Sequence, residues 1–161
     1  MSRLVIDTNF LVANIDRNDK WHNTVVPINE LLNRIQVTTI YLDCVINETV
    51  SVLAKRMEEK NRLDEYPEVL AKIQNVIPYE KITWTSYNNR FWYGEILDLL
   101  KEHKGRISFN DALIALYLKN SKIKYLVSFD KDFDKIPWIT RLGCEEDFRK
   151  QDELIYHKIK V

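Results

Sequence analysis

Three glycines and four prolines in 161 residues leave little material for a hinge or a flexible linker. No stretch rich in Ser, Gly or Pro divides the sequence, and no internal repeat or low-complexity segment is present. At this length the chain reads as one domain, 1–161, large enough to bury a full core. No apolar run approaches the roughly 20 residues of a membrane span. The N-terminus enters a strand signal with no secretory apolar segment before it, so the expectation is a cytoplasmic protein with no membrane partner. Cysteine is equally sparse. Cys44 and Cys144 lie far apart, match no metal or redox spacing, and read as two reduced thiols. Net charge is also missing, since 24 Lys and Arg balance 24 Asp and Glu. That excludes a strongly basic chain that holds nucleic acid by overall attraction, but it permits a local cationic rim.

What is present alternates between strand and helix. Leu4–Ile6 is a short apolar run of the kind that forms a strand buried on both faces. A short helix follows from about Thr8 to Ile15. Asp19 to Ile35 is helical by pattern, with a break expected at Pro27 or a second helix starting on it, because proline lacks the N–H. Residues 37–43, VTTIYLD, are β-branched and aromatic and read as a second strand. Asp43 is placed to cap a helix that carries Val45, Ile46, Thr49, Val52, Leu53 and Met57 at helical spacing. Leu63–Asn75 is helical, 81–85 (KITWT) is a short strand, and Ser86–His103 is a long helix closed by Gly105. Ser108–Asn120 is a helix with a strong apolar stripe, and 124–130 (KYLVSFD) is the last clear strand. Beyond Gly143 the signal is weak, fitting a short strand or a docking tail. The alternation predicts an α/β fold with a mostly parallel central sheet. Ligands of such sheets bind beyond the carboxyl ends of the strands.

Acids collect at those ends. Asp7 follows the first strand, Glu48 lies in the helix after the second, Asp111 is in the first turn of its helix, and Asp130 ends the last clear strand. Each alone has a plain structural explanation. Asp7 or Thr8 can cap a helix, Asp111 can complete a capping box with Ser108, Glu48 can be a solvated charge, and DKDFD (130–134) can be a polar turn. A calcium loop is excluded, because the position that needs Gly is Lys135 and the one that needs Glu is Arg141. The combination is harder to dismiss. A parallel sheet gathers all four on one rim, where two carboxylates about 5 Å apart repel by roughly 3 kcal/mol at an effective dielectric of about 20. A divalent cation removes that conflict. Oxygen ligands without His or Cys select Mg²⁺ or Mn²⁺, and His22, His103 and His157 show no ligand spacing. Such an ion acidifies water and neutralises a phosphodiester's oxygens, which suits nuclease chemistry. Arg17, Lys20, Lys104, Arg106, Lys131 and Lys135 are candidates for the cationic rim.

The ordered set LVIDTNFLVA, INETVSVLAKR, SFNDALIALYLK and YLVSFDKDF resembles PIN-domain ribonucleases, especially VapC-type toxins of toxin–antitoxin modules, over roughly residues 3–136. The resemblance implies a three-layer α/β/α sandwich and a Mg²⁺- or Mn²⁺-dependent endoribonuclease that leaves a 5′-phosphate and a 3′-hydroxyl. Asp7, Glu48 and Asp111 match the family's metal-holding acids and Asp130 its more variable fourth, with Asp132 a substitute or supporting group. Thr8 and Asn9 match the pair that orients the first acid, with Asn9 reaching Asp111 or a water, and Ser108 caps the third acid's helix. The implied partners are an RNA substrate, a second copy of the chain and a protein antitoxin. Two features depart from a compact toxin: the extension 142–161, and the aromatic stretch around Trp84, Tyr87, Phe91, Trp92 and Tyr93. Rings left exposed there would form a dimer face, an antitoxin groove or a base-stacking surface. Three rivals stay open: a PIN nuclease of RNA processing, a non-catalytic PIN-like scaffold for RNA or protein, and a metal-dependent phosphatase.

Overall fold

A computed structural model describes residues 2–35 and 37–151. Its strands are β1 (Ser2–Ile6), β2 (Val37–Leu42), β3 (Ile82–Thr83), β4 (Tyr125–Val127) and β5 (Thr140–Leu142). They form one sheet in the order β3-β2-β1-β4-β5, and every neighbouring pair is parallel. The helices are α1 (Thr8–Ile15), α2 (His22–Arg34), α3 (Asp43–Glu59), α4 (Tyr66–Val76), α5 (Ser86–Glu102), α6 (Phe109–Ser121) and α7 (Glu145–Arg149). Leu4, Val5 and Ile6 of β1 are at most 1% exposed. Successive strand side chains point to opposite faces, so a run buried at every position requires cover on both sides. The result is the expected three-layer α/β/α sandwich, with β1 at its centre.

The topology locates the site. From β1 the chain moves outward through β2 to β3, then returns to the other side of β1 for β4 and β5. The order reverses between β1 and β4, and beyond the carboxyl ends of two such strands a crevice opens. The helix that feeds this point, α6, is apolar almost all round. Residues 112–116 are all buried, as the interior position of this helix requires.

Four local expectations need correction. Pro27 neither breaks nor starts a helix, because α2 runs through it. The hydrogen bond it removes would have ended on Asn23, an exposed residue whose carbonyl water can serve. Asp43 is the first residue of α3 rather than its cap. Its Oδ1 accepts from Cys44 N (3.0 Å), Thr85 N (2.9 Å) and Thr85 Oγ1 (2.5 Å), and its Oδ2 from Ser86 N (3.1 Å). The carboxylate therefore pins the start of α3 to the junction between β3 and α5. Near the C-terminus, β5 ends just before Gly143 and α7 follows it, docked by a fully buried Phe148. A three-residue strand and a five-residue helix are too short to show a period. Residues 152–161 of the expected extension lie outside the described residues. The left-handed position that closes α5 is taken by Lys104, at φ +53, and Gly105 follows it at φ +70 with its N–H bonded to Leu100 O.

Burial works to raise the Asp43 carboxyl, but its hydrogen bonds from Thr85, Ser86 and Cys44 outweigh that and hold it below the usual carboxylate range. Because the folded group is the more acidic, its contribution is full above the unfolded value of about 3.9 and fades as pH falls through the folded value. Asp43→Ala strands the N–H and hydroxyl of fully buried Thr85. It is expected to lower stability by about 2 kcal/mol at pH 7. Urea unfolding checks this, with the gap between the two proteins narrowing as pH falls below the ordinary carboxylate range.

Candidate active site

Asp7 follows the last residue of β1 and caps α1, its extended backbone (φ −90, ψ 161) setting the carboxylate over the first turn. Its N–H continues the β1–β4 ladder to Val127 O at 3.0 Å. The side chain is 4% exposed. Oδ1 accepts from Thr8 N at 2.7 Å, while Oδ2 accepts from Asn9 Nδ2 at 2.7 Å and Ser128 Oγ at 2.6 Å. Burial is the main influence on its proton and raises the pKa to about 7. Hydrogen bonds from Ser128 and Thr8 oppose the rise, and the charges of Asp111 and Glu48 add to it.

Glu48 reaches the same place from α3. Its Oε2 accepts from Thr8 Oγ1 at 3.1 Å and from Asn110 Nδ2 at 3.2 Å, so α1 and α6 both hold it. Asp111 enters from the first turn of α6 in a capping box: its N–H donates to Ser108 Oγ (3.1 Å) and its Oδ2 accepts from Ser108 N (2.7 Å). Burial raises its pKa against those bonds, with Glu48 and Asp130 pushing the same way. Asp130 follows β4, its N–H donating to Ser128 Oγ and its Oδ1 accepting from Asp132 N.

The four acids share the wall of one cavity of about 390 Å³, together with Thr8, Asn9 and Ser108. Asp132 does not line it. Lys135 pairs with Asp132 and keeps its carboxyl acidic. Asn9 orients Asp7, as the resemblance implies, and among the described residues it makes no hydrogen bond to Asp111; its Oδ1 accepts from Phe129 N at 3.0 Å. Of the six rim cations, Lys20 lines the cavity. Four further residues escaped the sequence reading. Arg56 stands on the cavity wall, bound at 2.5 Å to the buried Asp19, which also lines it. Ser128 holds Asp7 and Asn110 holds Glu48. Ser128 sat inside a quoted motif, and Arg56 lies two helical turns after Glu48 on α3; these were the available signals.

Among the described residues no three His, Cys, Asp or Glu side chains form a group already set to hold a metal ion. The donor chemistry nevertheless fits a hard cation. Every candidate atom is a carboxylate oxygen, two of the acids are driven toward protonation, and the described residues leave Glu48 Oε1, Asp111 Oδ1 and Asp130 Oδ2 without a hydrogen bond.

A crevice of carboxylates at the reversal point of a five-stranded parallel sheet defines an α/β protein with an acidic switch-point site. The chain belongs to the PIN domain family, whose model matches residues 4–139. Two solved structures share the fold. One is VapBC2 from Rickettsia felis, crystallised with a DNA fragment from its promoter; it is 21% identical, with a TM-score of 0.65, over 89% of this chain and 99% of that one. The other is VapC20 of Mycobacterium tuberculosis, a sarcin-ricin loop cleaving toxin; it is 19% identical, with a TM-score of 0.62, over 82% and 93%. No curated protein matches the chain.

The raised pKa of Asp7 makes a stability prediction. A carboxyl that binds its proton more tightly when folded costs stability as pH rises from about 4 to about 7. Without divalent ions, Asp7→Asn is therefore expected to melt higher than the unmodified chain at pH 8, on the order of 5 °C for about 2 kcal/mol. The difference disappears near pH 4, and Mn²⁺ at pH 8 raises only the unmodified chain. Thermal melts at the two pH values check the sign.

Proposed function

We propose that the chain is a divalent-metal-dependent endoribonuclease, the toxin of a toxin–antitoxin pair, acting in the cytoplasm as a homodimer restrained by a protein antitoxin. The observation that carries the reading is the convergence of Asp7, Glu48, Asp111 and Asp130, from four elements, on one cavity at the sheet's reversal point. Membership of the PIN domain family supports the nuclease class, and likeness in fold to VapBC2 and VapC20 supports the toxin role.

Asp7, Glu48, Asp111 and Asp130 are the residues that would hold Mg²⁺ or Mn²⁺. When bound, such an ion supplies Lewis-acid chemistry, making an attacking water more acidic and offsetting charge on the phosphodiester oxygens. The rest falls to this chain's own groups. Ser128, Asn9 and the Thr8 N–H fix both oxygens of Asp7, while Thr8 Oγ1 and Asn110 fix one oxygen of Glu48. These bonds set the acids before substrate arrives, so reorganisation at the moment of reaction is small. Arg56, steered by Asp19, and Lys20 give the cavity a cationic side on which an RNA backbone can rest.

Asp7→Asn, Glu48→Gln and Asp111→Asn are each expected to lower RNA cleavage by about 100-fold or more while circular dichroism stays unchanged. A chelator should stop the reaction and Mn²⁺ restore it. Asp132→Asn, whose carboxylate Lys135 holds off the cavity, should stay within about twofold. Cleavage of mixed cellular RNA by the four variants decides the matter, and undiminished cleavage by Asp7→Asn would overturn the mechanism.

Arg56→Ala is expected to raise KM about tenfold and to flatten the dependence of KM on salt. A KM titration at two KCl concentrations reads both effects.

A further inference from the structure

The acidic cavity does not end at Glu48 and Ser108. Both residues also line a second cavity of about 330 Å³, which holds Phe109. Asn47 and Asn110 of that cavity in turn line a third, of about 360 Å³, which reaches Trp84 and Asn89. Three cavities that share walls in series form one groove between α3 and the start of α6, running from the carboxylates to the β3–α5 junction.

Its lining has a definite chemistry. Trp84 is 57% exposed and Phe109 39%, so two flat rings face solvent along the groove. Asn47, Asn89 and Asn110 line the same cavities, and each carries a side-chain amide able to donate and accept. Asn89 adds an independent observation: its Oδ1 is buried with no hydrogen-bond partner. A buried acceptor left unmade is unfavourable, and a turn of the Asn89 amide toward the cavity this residue lines would bring it within reach of a bound group's donor. Rings to stack on and amides to pair with are what an unpaired nucleobase requires, and single-stranded RNA is recognised by stacking and base-edge hydrogen bonds.

We propose that this groove is a nucleobase subsite. It takes an unpaired base a few nucleotides from the scissile phosphate, stacked on Trp84 and read by Asn89 and Asn47. This rests on the endoribonuclease reading above. Asn110 also lines the groove, but its hold on Glu48 ties it to the acids, so it is not a test position.

The test uses single-stranded oligoribonucleotides randomised around the cleavage position, with Mn²⁺, reading base frequency at each position and then kcat and KM on the preferred sequence. The unmodified chain is expected to show a base preference at one position away from the cut. Trp84→Ala should raise KM about tenfold with kcat within about twofold, the size of one lost base stack, and Trp84→Phe should recover most of it. Asn89→Ala should flatten the preference at that position. An abasic nucleotide there should raise KM for the unmodified chain and do nothing further to Trp84→Ala. Unchanged KM and preference in both alanine variants would overturn the subsite and leave the nuclease standing. Normal cleavage by Trp84→Ala with loss of self-association in sedimentation would assign the ring to a protein interface and also overturn it. An unmodified chain that cuts no RNA with any divalent ion overturns both proposals.

Discussion

A carboxylate at 4% exposure is an expensive thing to place where the central strand of a sheet stops. Asp7 is tolerated there because three side-chain or backbone donors converge on its two oxygens, two from the first turn of α1 and one from beyond β4. Thr8 N is the first amide of α1, Asn9 is the next residue of the same turn, and Ser128 arrives from the end of β4. The register between β1 and β4 puts Val127 beside Ile6 and so carries Ser128 to Asp7. If that pairing slipped by one residue, side chains would change faces and the hydroxyl would be lost. The site is thus a consequence of sheet register before it is a matter of chemistry.

The same dependence dissolves an apparent choice between structural and chemical roles for the acids. Asp7 caps α1, and Asp111 closes a capping box on α6. Helix N-termini present unpaired N–H groups and a positive dipole end, which favour an anion there. A fold that puts two such termini beside one crevice brings two carboxylates to the same place for structural reasons alone. Capping uses one oxygen of Asp111 and leaves the other facing outward. What capping does not supply is relief from mutual repulsion, and Glu48, Asp111 and Asp130 raise one another's cost instead. Structure explains why the acids are present; their unrelieved crowding is the reason to look for a cation.

Legibility in the sequence followed distance along the chain. β1, α1, β2 and α6 carry apolar runs or helical periods several residues long, and their places were readable. So were the four acids, because strand ends and helix starts have local signatures. Partners that meet only in three dimensions were not readable. Asn9 orients Asp7 as the resemblance implies, but its other amide atom meets Phe129 N, 120 residues away, where Asp111 or a water was expected. Asp43 looked like a cap from its neighbours, whereas residues 85 and 86, some 42 positions later, claim its oxygens. Arg56 on the cavity wall depends on Asp19, 37 residues away. None of these pairs has a period or a motif.

On the proposed reading, a neutral chain that takes RNA beside four carboxylates faces an electrostatic problem that net charge does not solve. Phosphate binding draws its strength from released counterions, and it needs clustered cations. Here several cations are already engaged: Lys135 with Asp132, Arg62 with Glu65, Arg141 with Asp134, Arg149 with Glu145. Arg56 is steered to the cavity but shared with Asp19. Stacking can add to what Arg56 and Lys20 supply, since every base has an apolar face and that attraction is not screened by salt. The exposed rings from Trp84 to Phe91 are hard to account for by folding, because burying them would have stabilised the chain more. Trp84 lines the groove of amides that leads from the acids, and on the proposed reading that gives its exposure a physical reason. On that reading selectivity lies in the path to the carboxylates, and the carboxylates would meet only phosphate and water.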